Sequence, residues 1–573
     1  MEQYQAEINA GRQAIGFIVG GGLKANLFVR LTVPAQSVQE GGFVVIKSSD
    51  WQFYGLVVDL QLGSTDPRYA ETPGIERLSA EVSRLLAKQT LYTNLEVLPA
   101  LMVEIGPGLG DAVYPAWRET HPEDARPLPI KTVPSHHSEV WLASAGDVAT
   151  IFGEPGVDGN FVIGRTREQD HPVCIDLDKF VQRSAGIFGA TGSGKSFLTR
   201  MILAGMIQRN KASVLVFDMH NEYGFDDTSS DTGRPVSGLK TKFRTKVRVV
   251  ALGRSSTIRG QTPDYHLELK ESDIQPEDIE MLTRELNLRE TTPTTLDALV
   301  HSFGHEHWFS EFKILVVGAV IENEDGKKVP APGSVAYWAN QEGVNPAAAE
   351  GLHSKLNRVF NLPYVIPDAS AVPGTNLNEV IKSLQNQQHV ILSFGDYEKD
   401  LDYLLVSNLL TRKIREAWEK TTNDYRSQGG KEPRPLVIAV EEAHKLLNRE
   451  MASQTSFSTI AREMRKYYVT LLIIDQRPSQ IYDEVMSQLG TRVSGWLGDE
   501  SDIAAVLSGL AGRDALRGML AHLQPKEEVL LLGWGVPMPI LVRSRRYDQV
   551  FWDELLPHGG TLTADQAKRD LGY

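Results

Sequence analysis

The sequence predicts an α/β protein, with a parallel-rich central sheet, a small N-terminal β-barrel ahead of it and a helical insertion within it. From about residue 160 onward, short apolar runs alternate with longer helical patterns, as in a parallel sheet covered on both faces. Before that point, β-branched and aromatic runs recur between Gly, Pro, Asp and Ser, the mark of a small barrel. Between one apolar run and a helical pattern stands GATGSGKS, at 189–196.

The 573 residues are 41% hydrophobic and 23% charged, an ordinary globular composition. That length suggests about two to four domains. We place them at 1–150 (barrel and linker), 151–260 (first part of the core), 261–380 (insertion) and 381–573 (second part of the core with C-terminal strands). The longest apolar runs, such as VTLLII and EVLLLGWGV, fall far short of the ~18–20 residues that span a bilayer. The polar start MEQYQAEINAGRQ is no secretory signal. One cysteine, Cys174, excludes an intrachain disulfide framework and a cysteine-cluster metal site. A cytoplasmic location is expected. The formal charge of −14 argues against a surface basic all over. It leaves nucleic-acid binding open, because cations can concentrate on one face.

In chain order, the barrel strands are expected at AIGFIVG (14–20), NLFVRLTV (26–33), GGFVVIKS (41–48), FYGLVVDLQLG (53–63) and EVLPALMVEI (96–105). A helix is expected at 74–89, and a Pro-rich linker at 114–137. Strands follow at 185–190, 213–218, 247–253, 389–395 and 469–475, with helices at 197–210, 403–420 and about 454–467. Residues 421–435 read as a polar loop, and LNLRETTPTTLDAL as part of the helical insertion.

GATGSGKS fits G-x-x-x-x-G-K-[ST] between a strand and a helix start. Gly189, Gly192 and Gly194 let the loop wrap so that its N–H groups, with those of Ala190, Thr191 and Ser193, face phosphate oxygens. The helix that opens through Phe197 adds its N-terminal partial charge. Lys195 would reach the β- and γ-phosphates of ATP, and Ser196 would hold Mg²⁺.

A phosphate loop calls for a second, acidic strand end, and LVIAVEEAHKLL (436–447) supplies one. Neighbours at a strand end point in different directions, so the two acids take different tasks. Glu441 would organise the Mg²⁺, through water. Glu442 would activate the water that attacks the γ-phosphate. The alternative is a salt-bridged pair at a helix N-terminus. In IIDQRPSQ, Gln476 would sense the γ-phosphate or position water, or else is a turn residue before Pro478. Arg462 and Arg465 sit three apart on one expected helical face. They could supply charge across a subunit boundary, or face solvent. Finally, Lys240, Lys242, Arg244, Lys246 and Arg248 fall at every second position. If extended, they line one face and could track a phosphate backbone, or guard an exposed edge. No helix-turn-helix or zinc-finger pattern is visible, so reading of base sequence is not expected.

Together these segments resemble the HerA-type ATPases, in the HerA/FtsK branch of P-loop motor proteins. The barrel, the run VCIDLDKFVQRSAGIFGATGSGKS, FDMHNEYGF (217–225), VEEAHKLL, EMRKYYVTLLIIDQRPSQI and PMPILVRSRR (537–546) carry the resemblance, which spans most of the chain. It implies a RecA-like P-loop core and a homohexameric ring that hydrolyses ATP between subunits and moves along double-stranded DNA. It further implies that Glu441 and Glu442 are the Walker B pair, Gln476 a sensor and Arg465 the finger acting in trans. Asp218 and Glu222 match the acidic positions of a D-x-H-G-E-Y segment beside the nucleotide. Asn221 departs from that segment's glycine, and Asp475 stands where QRP usually follows serine. A separate NurA-type nuclease or another effector would dock on the barrel. The alternative is a hexameric platform that organises a defence effector, such as a nuclease or NAD-consuming enzyme, with little translocation. A conjugation-type DNA pump is disfavoured by the lack of a membrane segment.

Overall fold

The computed structural model describes residues 14–65, 91–106, 116, 127–228, 233–254, 256–324, 326–370, 372, 375–510 and 512–556. The chain forms two compact units. The first takes the chain up to Phe180, Ile187–Leu198 and Gly490–Arg546; the second takes Val181–Gly186, Thr199–Leu489 and the chain from Tyr547.

In the first unit, β1 (Gly16–Gly21), β2 (Leu27–Leu31), β3 (Phe43–Ser48), β4 (Trp51–Ser64), β5 (Leu91–Glu104) and β7 (Glu139–Leu142) form a barrel. The order β1-β7-β3-β4-β5-β2 closes because β2 pairs with both β1 and β5. Closure removes the open edges that would otherwise recruit other strands. Alternate residues point inward, so Val44 and Ile46 on β3 and Leu95 and Val97 on β5 meet Val29, Phe53 and Val140 in one core. The expected helix at 74–89 lies outside the described residues. Of the expected linker, residues 116 and 127–137 are described, and the latter carry β6 (Leu128–Pro129), paired with β5.

The same unit holds β8 (Asn160–Thr166), β9 (Pro172–Asp176), β23 (Thr491–Ser494), β24 (Glu528–Gly533) and β25 (Ile540–Ser544). They run antiparallel in the order β23-β24-β25-β8-β9. Arg167, just past β8, makes a two-point ion pair with Glu528 of β24, with Nε–Oε1 at 2.6 Å and Nη2–Oε2 at 2.7 Å. Its remaining Nη1 donates to Glu40 O at 2.7 Å. Glu528 is only 2% exposed, so its charge depends on this pairing.

In the second unit, β11 (Ser213–Asp218), β14 (Val247–Leu252), β15 (Tyr265–Leu267), β20 (His389–Ser393), β21 (Leu436–Glu441) and β22 (Val469–Asp475) pair in parallel in the order β15-β14-β20-β11-β21-β22. Every residue of β11, β20, β21 and β22 is buried, which explains their unbroken apolar text. Short ladders β12 (Asp227–Thr228) with β13 (Pro235–Val236), β16 (Leu269–Lys270) with β19 (Val365–Ile366), and β17 (Val320–Glu322) with β18 (Lys328–Pro330) complete the strands. β10 (Ala185–Phe188) passes from the second unit into the first.

The insertion is helical as expected, through Thr292–Phe303, Trp308–Ile314, Val335–Gln341 and Pro346–Phe360. Its core is aromatic: Phe309 and Phe360 meet edge to face at 5.0 Å, and the buried Trp308 Nε1 donates to Ile274 O at 3.1 Å.

Two expectations need correction. The helix expected to end at 420 continues to Gln428, because Thr422 faces inward and is fully buried. It stops at Gly429, whose φ of 73° suits a residue without a side chain. Second, residues 240–248 are not one extended segment: Leu239–Phe243 is a helix, Arg244–Lys246 a 3₁₀ turn, and only Val247 opens a strand. Leu239 and Phe243, four apart and both buried, impose the helical period.

Candidate active site

β10 runs straight into the glycine-rich loop, which lies in the first unit, and the helix Lys195–Arg209 begins at the loop's last two residues. The loop is braced from the C-terminal part of the unit. Ala190 N–H donates to Trp496 O at 2.9 Å, Gly495 N–H to Phe188 O at 2.9 Å, and Lys526 N–H to Ser193 O at 3.0 Å. Glycine is required where the wrap is tightest. A Cβ on Gly189 would fall 2.3 Å from Ser193 Oγ. Gly194 has φ of 91°, and a Cβ there would stand 3.2 Å from the Lys526 Cα. Ser193 is buried, while Thr191 and Gly192 face solvent and Lys195, Ser196 and Phe197 are half-buried at the helix start. This is a cradle of backbone N–H groups at a helix N-terminus, which fits a polyphosphate.

The remaining candidates lie in the second unit, where the structure brings them into two groups. At the end of β11, Asp218 accepts from Glu222 N–H at 2.9 Å and Tyr223 N–H at 3.0 Å. Burial, with the Glu222 carboxylate also contributing, pushes Asp218 up to about 6, against the pull of those two N–H groups. Arg200 Nε donates to Glu222 O at 3.1 Å and anchors the turn. Between the acids, Asn221 has φ of 57° and contacts Ser393 Oγ. Its departure from glycine is therefore to a residue that tolerates left-handed backbone. Tyr223 is buried and donates through its hydroxyl to Glu441 Oε1 at 3.2 Å. Burial, and then Glu441, hold the phenol well above its ordinary pKa, so it keeps the proton it donates.

The second group starts one residue on. Glu442 has φ of 46°, which turns its side chain away from that of Glu441. Its Oε1 and Oε2 lie 3.2 and 3.1 Å from Gln476 Nε2. Its Oε2 also lies 3.4 Å from His444 Nδ1. That Nδ1 is nearer Asp475 Oδ2, at 3.0 Å. The hydrogen bond to Asp475 raises the imidazole above its ordinary pKa; partial burial opposes it and Glu442 reinforces it.

The two arginines do not share one α-helical face. Arg462 lies in the last turn of the helix Phe457–Glu463 and pairs with Glu484 at 3.3 Å, whereas Arg465 is exposed on the following 3₁₀ turn. Among the cations of 240–248, Lys240 Nζ is held by Asp264 Oδ1 at 2.6 Å and Val247 O at 2.9 Å. Lys242 lies over the Trp552 ring at 5.2 Å. These two serve local packing. Sequence reasoning missed Tyr223, His444 and the bracing by Trp496 and Lys526. Tyr223 lies within FDMHNEYGF and His444 within VEEAHKLL, whereas the braces carry no local signal.

Mg²⁺ takes hard oxygen ligands and keeps several of its waters, so few protein groups are needed. Within the first unit the Ser196 hydroxyl, and within the second the buried Glu441 carboxylate that Tyr223 holds, are each an oxygen donor of that kind. Among the described residues no cluster of His, Cys, Asp and Glu forms a separate metal cage, and no helix is long and apolar enough to cross a membrane.

Residues 161–414 match the family model described as helicase HerA, central domain. Relatives extend the similarity beyond that span. The chain is 21% identical over 551 residues to the DNA double-strand break repair helicase HerA of Pyrococcus furiosus, covering 90% of this chain and 89% of that protein. It is 24% identical over 541 residues to the protein of the same name from Sulfurisphaera tokodaii, covering 93% of each. A probable DNA double-strand break repair helicase HerA from Methanocaldococcus jannaschii is 28% identical over 454 residues, covering 74% of this chain and 83% of that one.

Proposed function

We propose that this HerA-type P-loop ATPase hydrolyses ATP with Glu442 as general base and couples hydrolysis to movement along double-stranded DNA. The observation that carries the reading is the divergence of two adjacent acids at the end of β21. Glu441 turns to Tyr223, and Glu442 turns to Gln476 and His444. Organising a metal and activating a water are separate tasks, and these are separate environments. Mg²⁺, when bound, neutralises charge on the phosphate oxygens; Ser196 and, through water, Glu441 would hold it. Lys195 and the N–H groups of 189–194 grip the phosphates, while Gln476 reports on the γ-phosphate by letting go of Glu442. Asp218 and Glu222 order the turn that presents Tyr223.

The relatives named HerA support duplex DNA as the track and repair of double-strand breaks as the setting. The ring is a homohexamer in which the exposed Arg465, with Arg462 beside it, reaches the neighbouring subunit's nucleotide. A nuclease of the NurA type, or another effector, docks on the barrel.

The test measures ATP hydrolysis with and without linear duplex DNA, together with binding of a fluorescent ATP analogue. Duplex should accelerate hydrolysis. Glu442→Gln should lose about 10²–10³-fold in kcat and keep its affinity for the analogue. A rate indifferent to DNA removes the motor reading, and an active Glu442→Gln removes the base. Native mass measurement should give six copies.

A further inference from the structure

Asp475 is the last residue of β22 and is fully buried; the HerA-type pattern that the chain resembles usually has serine there. Its two oxygens accept backbone N–H groups from different loops, and Oδ1 also lies 3.2 Å from the His444 ring Nδ1. Oδ1 accepts from Arg477 N–H at 2.6 Å, on its own side. Oδ2 accepts from His444 N–H at 2.6 Å, in the loop that leaves β21. The same Oδ2 meets the imidazole Nδ1 at 3.0 Å. One carboxylate thus ties together the strand ends that carry Glu442 and Gln476, and also turns the ring that faces Glu442.

We propose that Asp475 and His444 are positioning residues for the general base: Asp475 staples the two loops and orients the His444 ring beside Glu442, while the Gln476 amide holds the Glu442 carboxylate. This rests on Glu442 being the base. The geometry requires two acceptor oxygens at position 475. Serine offers one oxygen and cannot reach both loops. Asparagine offers one acceptor and one NH₂, and that NH₂ would face an N–H donor wherever it pointed, leaving a buried donor unpaired. Glu442 gains from such fixing because its backbone, with φ of 46°, is one that a glutamate seldom adopts unsupported. A base that must meet its water within a few tenths of an ångström loses rate steeply when it wanders.

The experiment uses the full chain and compares Asp475→Asn, His444→Gln, Glu442→Gln and the double variant Asp475→Asn/Glu442→Gln. Asp475→Asn should lower kcat about 10–100-fold while KM for ATP and affinity for the fluorescent analogue stay within about 3-fold of the parent. His444, partly open to solvent, can be changed without burying a new group, and His444→Gln should lower kcat about 3–10-fold with the thermal midpoint unchanged. In the double variant the losses should not multiply, because Asp475 acts through Glu442. If Glu442→Gln is inactive but Asp475→Asn and His444→Gln keep the parent kcat, the positioning role is overturned. It is equally overturned if Asp475→Asn lowers kcat and analogue binding together and multiplies with Glu442→Gln, the signature of a purely structural residue. An active Glu442→Gln instead overturns the base assignment on which the proposal stands, and the two failures are distinct.

Discussion

The Tyr223 phenol donates to Glu441 across 3.2 Å, in a place where both side chains are buried. A hydrogen bond to a charged group in such a setting is worth about 1.5–3 kcal/mol. It fixes one oxygen of the carboxylate.

Tyr223→Phe removes this fixing without opening a cavity. The variant should need several-fold more Mg²⁺ to reach half-maximal ATP hydrolysis, and a Mg²⁺ titration of kcat checks this. An unchanged midpoint would detach Tyr223 from the metal-organising task.

Gly192 and Gly194 both have positive φ, at 77° and 91°, yet their surroundings differ. Nothing lies within 4 Å of a Cβ on Gly192, whereas one on Gly194 meets backbone of Lys526. Alanine at either site carries about 1–2 kcal/mol of left-handed strain. Gly194→Ala adds displacement of the bracing turn at Lys526, so it should unfold at lower urea than Gly192→Ala in nucleotide-free protein. Equal midpoints would contradict the brace.

Arg167→Met should cost about 3–5 kcal/mol, since it leaves the buried Glu528 carboxylate without its cation. Adding Glu528→Gln to the same chain should recover part of that loss. Urea unfolding of the two variants against the parent measures both effects; no recovery would mean that Arg167 matters only through packing.

His389 is fully buried on β20, and burial, then the positive Arg434, hold its imidazole down at about 3. The unfolded chain takes up that proton below about pH 6.5, while the folded chain refuses it until about pH 3. Stability from this group is therefore complete above the unfolded value. It falls as pH drops through the window, by up to about 1.4 kcal/mol per pH unit. The pH dependence of the urea midpoint should be shallower in His389→Asn between these limits. Parallel curves would sink the assignment.

Arg465→Ala and Glu442→Gln should each be nearly inactive alone, yet a mixture should regain a measurable share of hydrolysis. Some interfaces then pair an intact Glu442 with an intact Arg465. Failure to regain activity, with mixed rings verified by mass, would place both residues at the same subunit's site.

The strands were legible because β11, β20, β21 and β22 are buried on both faces, and an apolar run bounded by turns has few other readings. The P-loop and the acid pair were legible because their chemistry is local in sequence. What escaped was contact between separated segments: Tyr223 with Glu441 is 218 residues apart, and His444 with Asp475 is 31. The cations at 240–248 misled because their charge has period two while Leu239 and Phe243, the residues that decide the backbone, have a helical spacing. Asp475 stood out only as a departure, because the two N–H groups it accepts come from loops that only the fold brings together.

The pairing of Arg167 with Glu528, 361 residues downstream, carries a consequence for biosynthesis. At about 5–20 residues per second, a ribosome needs roughly 20–70 s to make the second partner after the first. Throughout that time β8 lacks β25, and for most of it the phosphate loop lacks its Trp496 and Lys526 braces. The nascent chain must therefore carry an open strand edge and a lone arginine past the whole of the second unit. A C-terminal truncation before Glu528 would freeze the protein in that exposed state, which makes the last strands a checkpoint for quality control.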